Sequence, residues 1–263
     1  MRRKLKFVAA FIFTVAMVGL TCLLGLIRIQ PAKTEESQAQ SVTPAQSTVV
    51  NLNKPVIDLS GWQLPSQINY DILAGQVIGA VVRVEGTPGK ADGSAYASGE
   101  DKAYAQHITA LQKRGVPVAV YAYVSGKTNS EMKTQAKNFY DHAKKYHPTY
   151  YWLDVEETNM SDMNGGIEAF RSELVKLGAK KIGIYAQDWF ITQNKINTSK
   201  FNAIWMADYG RNTGVWDASP KTSLSYAMQQ YTSRGKIGGY SGYVDLNTIR
   251  TQAHYNELFK GKA

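Results

Sequence analysis

From Lys54 onward the chain repeats one pattern: a short apolar run rich in β-branched and aromatic residues, then helical or loop material, then another run. The runs are Val56–Ser60, Ala80–Glu85, Val116–Ser125, Tyr150–Glu156, Lys181–Ala186, Ala203–Tyr209, Ser225–Thr232 and Tyr243–Leu246. Asp101–Arg114, Ser130–Tyr146 and Met163–Leu177 read as helices between them. In the second, Met132, Ala136, Phe139 and Ala143 recur along one face behind a cap at Asn129 or Ser130. Gly115 and Gly178 follow the first and third, where a left-handed residue ends a helix. Strands alternating with helices argue for a parallel sheet, and eight strands close a barrel. The later connections are short, so the expected fold is α/β: an irregular TIM-like (β/α) barrel whose outer ring of helices is incomplete. An open doubly wound sheet is the alternative. Its nucleotide-binding forms need a Gly-rich loop after the first strand, and IDLSGWQ offers one glycine.

Ahead of this body stands an uncharged run of 21 residues, Phe7 to Ile27, preceded by Arg2, Arg3, Lys4 and Lys6. About 20 apolar residues span a bilayer of roughly 30 Å, and the basic flank orients the N-terminus to the cytoplasm. Residues 1–29 are therefore expected to be a single-pass anchor with the body exported. A cleaved signal peptide is the alternative and would release the protein, but its apolar core is shorter and a small-residue cleavage site follows it. From Gln30 to about Asn53 the composition turns to Gln, Ser, Thr, Ala and Pro, the signature of a flexible linker (30–53) before the barrel (54–263).

The formal charge of +9 is divided between these parts. Arg2, Arg3, Lys4, Lys6, Arg28 and Lys33 against Glu35 and Glu36 account for +4, leaving +5 for the barrel. That excess, without a dense Lys/Arg stripe, suits an anionic polymer such as a cell wall better than nucleic acid. The single cysteine, Cys22, excludes an intramolecular disulfide and a thiolate metal cluster. The four histidines lack the His-x-x-x-His spacing of a zinc hydrolase, so a zinc amidase is not expected.

The chemistry-bearing residues fall at strand ends. In Tyr150-Tyr151-Trp152-Leu153-Asp154-Val155-Glu156, a strand sends Trp152, Asp154 and Glu156 to one face and Tyr151, Leu153 and Val155 to the other. Two carboxylates about 7 Å apart at the backbone couple electrostatically, and one holds its proton to higher pH, as a general acid requires. An isolated Asp-x-Glu is more often a pair of solvated carboxylates. Here other runs also end in polar or aromatic groups: Asp58, Arg83 with Glu85, Tyr123, Tyr185, Trp205 with Asp208, Gln229 and Asp245. A barrel gathers such positions at one end, and Trp, Tyr, Asp and Gln together suit a sugar.

These residues resemble the glycoside hydrolase family 25 muramidases, lysozymes of the Chalaropsis and cellosyl kind. The matching pieces run from Val56 to Asn247: Ile57-Asp58-Leu59-Ser60 with Trp62-Gln63, Val82-Arg83-Val84-Glu85-Gly86, Gly115-Val116-Pro117-Val118 into Tyr121-Ala122-Tyr123, and Trp152-Leu153-Asp154-Val155-Glu156. They continue through Ile184-Tyr185, Ile204-Trp205-Met206-Ala207-Asp208-Tyr209, Gln229-Gln230-Tyr231 and Val244-Asp245-Leu246-Asn247. The resemblance implies hydrolysis of the β-1,4 bond between N-acetylmuramic acid and N-acetylglucosamine in peptidoglycan glycan strands. It makes Glu156 the general acid and Asp154 its partner, which orients the substrate's own 2-acetamido group, with Asp58 and Asp245 as the remaining acids. Tyr123, Tyr185, Trp205, Gln229 and Arg83 are the expected substrate-binding residues. No metal or organic cofactor is implied, and a monomer is expected. Arg83-Val84-Glu85 departs from the Lys-containing run common before the Glu-Gly, so Glu85 receives no catalytic role. The competing functions are a chitinase-like glycosidase and a catalytically silent wall-binding protein. The first is disfavoured because Trp152 and Tyr150 occupy the places of its further aspartates. A binding module, for its part, has no need of the acid pair.

Overall fold

The structure is a computed structural model and describes residues 49–261 and 263. The expected anchor (1–29) and all of the linker before Val49 lie outside the described residues. Among those described, no helix is long and apolar enough to cross a membrane. The last residues of the expected linker already belong to the body: the Val50 N–H donates to the Gln252 side-chain oxygen at 2.9 Å, and Val50 and Leu52 pack on the core.

Eight strands close a barrel in sequence order. They are β1 Val56–Leu59, β2 Gly79–Glu85, β3 Val118–Tyr123, β4 Tyr151–Asp154, β5 Ile182–Gln187, β6 Ala203–Ala207, β7 Met228–Ile237 and β8 Tyr240–Thr248. Neighbours from β1 to β7 are parallel. The all-parallel sheet expected from the alternating pattern fails at β8, which runs antiparallel to both β7 and β1. The cause is local: only Gly238 and Gly239 separate the two strands, and Gly239 takes the left-handed φ of 96° that a tight hairpin needs. A parallel return demands a crossover of a dozen residues or more.

The helices are α1 Tyr70–Ala74, α2 Tyr104–Gln112, α3 Asn129–Ala143, α4 Met163–Leu177, α5 Asp188–Gln193 and α6 Gln252–Phe259. α4 has its expected bounds. α2 starts three residues late because Asp101 stays outside it and accepts the Ala103 and Tyr104 N–H groups. α3 is capped by Thr128, not by Asn129 or Ser130, through the Glu131 N–H. β6 and β7 are joined by residues 208–227 without a helix. α6, unanticipated, carries Tyr255, Leu258 and Phe259 into the cluster that fills the barrel, and the Tyr255 hydroxyl donates to the Ile78 carbonyl.

Two apolar layers follow from strand alternation. Tyr151, Leu153 and Val155 face the helices, together with Ile57, Val82 and Phe139. Tyr150 and Trp152 point inward and stack with ring centres 4.7 Å apart. Trp152 lies so flat on β5 that a Cβ on Gly183 would stand 2.2 Å from its ring.

Candidate active site

Above that aromatic floor the inward-facing side chains turn acidic. Pairing sets Asp154 beside Tyr185, Tyr185 beside Trp205, and Asp58 beside Asp245. Because β8 is reversed, Asp245 lies within the strand and not at its end as expected, yet the antiparallel register brings it level with Asp58. Asp58, Asp154, Glu156 and Asp245 thus line one groove of about 90 Å³ with Tyr121, Tyr185, Trp205, Tyr209 and Gln230. Glu156 stands at its mouth, just past the end of β4, where solvent reaches it.

The acids form two coupled pairs. Asp154 is raised well above the usual carboxylate range, by burial first and then by the neighbouring Glu156 charge. One of its oxygens is buried with no hydrogen-bond partner among the described residues. Glu156 is also raised, by the crowding of the groove walls and then by Asp58 and Glu157, against a lowering contact with Asp154. The pair therefore retains a proton that isolated carboxylates would have lost. Across the groove, burial and then Asp58 push Asp245 up to about 9.

Burial raises Asp58 too, but two amides oppose that rise by holding one of its oxygens: Gln230 Nε2 at 3.0 Å and Asn247 Nδ2 at 2.8 Å. Asn247 Oδ1 in turn accepts the Trp205 indole N–H at 2.7 Å. Gln230 Oε1 accepts the Tyr185 and Tyr209 hydroxyls at 2.7 and 2.5 Å. Every polar atom of this buried network points at another, which fixes Asp58 and two aromatic walls together. Asn247→Ala should lower kcat about tenfold and cost about 1–3 kcal/mol, because it strands the indole N–H and frees Asp58. A turnover assay beside a chemical melt checks both.

Three expected binding residues fall elsewhere. Gln229 faces outward and is not in the groove: its amide donates to the Asp208 and Ala218 carbonyls, and it accepts from the Trp216 indole. It pins the helix-free 208–227 connection against β7. Gln230, one position on, takes the inward place. Arg83 is engaged by Asp101 at 2.9 Å and by Ser94 at 2.5 Å, bracing the loop after β2, and only its field reaches Asp154. Tyr123 stands at the rim, its hydroxyl donating to Glu157 at 2.6 Å. Tyr121, Tyr209 and Gln230 were not singled out. Two-residue steps from Tyr123, Trp205 and the apolar Met228 lead to all three, though from the sequence alone the adjacent Gln229 and Gln230 are interchangeable.

Glu85 lies outside the groove. The bulge between Arg83 and Glu85 turns it toward the helices, fully buried, 3.3 Å from His142 Nδ1 and with one oxygen unpartnered. Burial, then Glu100, raises it from 4.5 to about 8. A raised carboxyl favours the folded state while protonated, so its contribution is present below pH 4.5 and is lost as pH rises toward 8. Glu85→Gln should leave turnover unchanged and flatten the fall of melting temperature across that window; a melting series in pH reads it.

Comparison with known proteins follows the same lines. The model for glycosyl hydrolases family 25 matches residues 57–240. Among solved structures, a glycosyl hydrolase 25 of Streptococcus pneumoniae, described as a virulence factor participating in host cell invasion, is 50% identical. That alignment covers 79% of this chain and 93% of the other, with a TM-score of 0.78. The catalytic domain of an endolysin from bacteriophage P40 of Listeria monocytogenes is 28% identical, over 78% of this chain and 96% of its own, with a TM-score of 0.68. A bacterial lysozyme from Streptomyces coelicolor shares the fold at 20% identity, over 78% of this chain and 96% of its own, with a TM-score of 0.56. No match was found among curated proteins. With the model spanning most of the described barrel and the four acids gathered in its groove, the chain belongs to the glycosyl hydrolases of family 25.

Proposed function

We propose that the protein is an N-acetylmuramidase that cleaves the β-1,4 bond between N-acetylmuramic acid and N-acetylglucosamine in peptidoglycan. The observation that carries this is the groove in which Asp58, Asp154, Glu156 and Asp245 meet on an aromatic floor. Glu156, at the mouth, gives its proton to the glycosidic oxygen as the C–O bond breaks. The carbonyl oxygen of the substrate's 2-acetamido group attacks the anomeric carbon, and Asp154 takes up the developing positive charge on that group. Water then opens the cyclic intermediate, with Glu156 accepting its proton. Such substrate assistance lies outside the usual two-carboxylate scheme. Tyr185, Trp205 and Tyr209 offer ring surface to the sugar.

The raised Asp154/Glu156 pair sets the pH behaviour. Turnover needs one proton on the pair, so kcat/KM should be bell-shaped, with its alkaline limb above the ordinary carboxylate range. A pH–rate profile with its alkaline limb near 4 would count against the pairing.

Purified peptidoglycan and chitin, incubated in parallel and assayed for new reducing ends, test the reading. Release from peptidoglycan supports it. Release from chitin alone favours a chitinase-like glycosidase, and release from neither favours a silent wall-binding protein. The N-terminal apolar run and its basic flank support a membrane-anchored, exported placement, and the protein acts as a monomer in this reading. N-terminal sequencing of membrane and medium fractions, and sedimentation of the barrel, test these two points.

A further inference from the structure

Beside the acid groove, on the rim formed by the loops after β2 and β3 and the first turns of α3, lies a second cavity of about 440 Å³. That is within the roughly 300–1,000 Å³ of cavities that hold small ligands. It is held open by Gln135, which is buried and donates to the Gly86 and Tyr123 carbonyls at 3.1 and 2.6 Å while accepting the Ser125 N–H at 3.1 Å. One side chain therefore ties both loops to α3, and the cavity is preformed. Its walls mix polar and apolar surface: Thr87, Ser125 and Ser130 bring hydroxyls, Glu131 a carboxylate and Lys127 an ammonium. The Lys127 backbone N–H goes to Glu131, but no described group pairs with its ammonium.

Tyr123 connects the cavity to the groove. The Tyr123 carbonyl belongs to the Gln135 clamp, while its ring stands on the groove rim against Glu157. A glycan seated in the groove thus passes close to the cavity mouth. Beyond its acetamido groups, such a glycan carries a peptide branch on its lactyl ether, with amides and free carboxylates. Hydroxyl walls match the amides, and the unpaired Lys127 matches a carboxylate. The tether supplies an effective concentration in the millimolar range, so a shallow polar site is sufficient.

We propose that this cavity is a subsite for the carboxylate-bearing peptide branch of the substrate, so that the enzyme prefers glycan that still carries its peptides. The proposal rests on the muramidase reading. Lys127 and Ser130 are exposed and make no contact with the four acids.

The test compares kcat/KM on intact peptidoglycan and on the same glycan stripped of peptide by an amidase, using the full chain. The wild type should favour the intact polymer about tenfold, mostly through KM. Lys127→Ala, and separately Ser130→Trp to fill the cavity, should remove that preference and leave the rate on stripped glycan unchanged. Equal wild-type rates on the two substrates, or a preference that survives both substitutions, would overturn the subsite while leaving the muramidase intact. Failure to cut either substrate removes the muramidase reading and the subsite with it.

Discussion

Replacing Glu156 by Gln should reduce kcat by about 10³-fold or more, because the amide keeps the shape of the carboxyl but has no proton to give the leaving oxygen. Affinity for glycan should change little, since Glu156 stands at the groove mouth and supports no buried hydrogen bond of the aromatic walls. Removing one charge from a crowded acidic groove should hold or raise the melting temperature. Turnover, glycan binding and a thermal melt on one preparation therefore separate a chemical defect from a folding defect. Wild-type turnover would remove Glu156 from its role.

Asp154→Asn should cost about 10²–10³-fold in kcat for a different reason: the neutral amide cannot balance the charge that develops on the acetamido group. It should also leave a signature that Glu156→Gln lacks. Asp154 and Glu156 shift each other's titration, so removing one partner leaves a single titrating carboxyl and changes the shape of the residual pH profile. Unchanged limbs in the Asn variant would show that the two acids titrate independently. A double variant that loses no more than Glu156→Gln alone would be expected of residues acting as a unit.

The barrel was legible because its strands are short, apolar and bounded by turn residues, and because α3 and α4 carry their apolar side chains at helical spacing. The direction of β8 was not read, although its cause is local: two glycines leave no length for a crossover. α6 was overlooked for a comparable reason, since its start at Thr251 and its apolar Tyr255, Leu258 and Phe259 are visible only if the chain is read past the last strand. Position at strand ends marked Tyr185 and Trp205, and strand parity carried the Asp154/Glu156 assignment to one face. It could not choose between Gln229 and Gln230, because that choice depends on how the helix-free connection from β6 covers β7, a tertiary contact with no sequence period. Arg83 misled for the opposite reason. Its parity is inward, but Asp101 and Ser94, brought back by the loop after β2, engage its guanidinium first.

The two pairs also explain why acidic residues so far apart in sequence stay together. Mutual repulsion in a buried groove is relieved when each pair keeps a proton, and the Gln230 and Asn247 amides favour the charged form of Asp58. The arrangement sacrifices stability for chemistry, as acid–base sites do when their pKa values are shifted toward the working pH.

The most direct measurement is mass spectrometry of the muropeptides released from purified peptidoglycan, read at the new reducing end. N-acetylmuramic acid at that end is the result the account predicts. N-acetylglucosamine there, or peptide fragments with the glycan uncut, would contradict it.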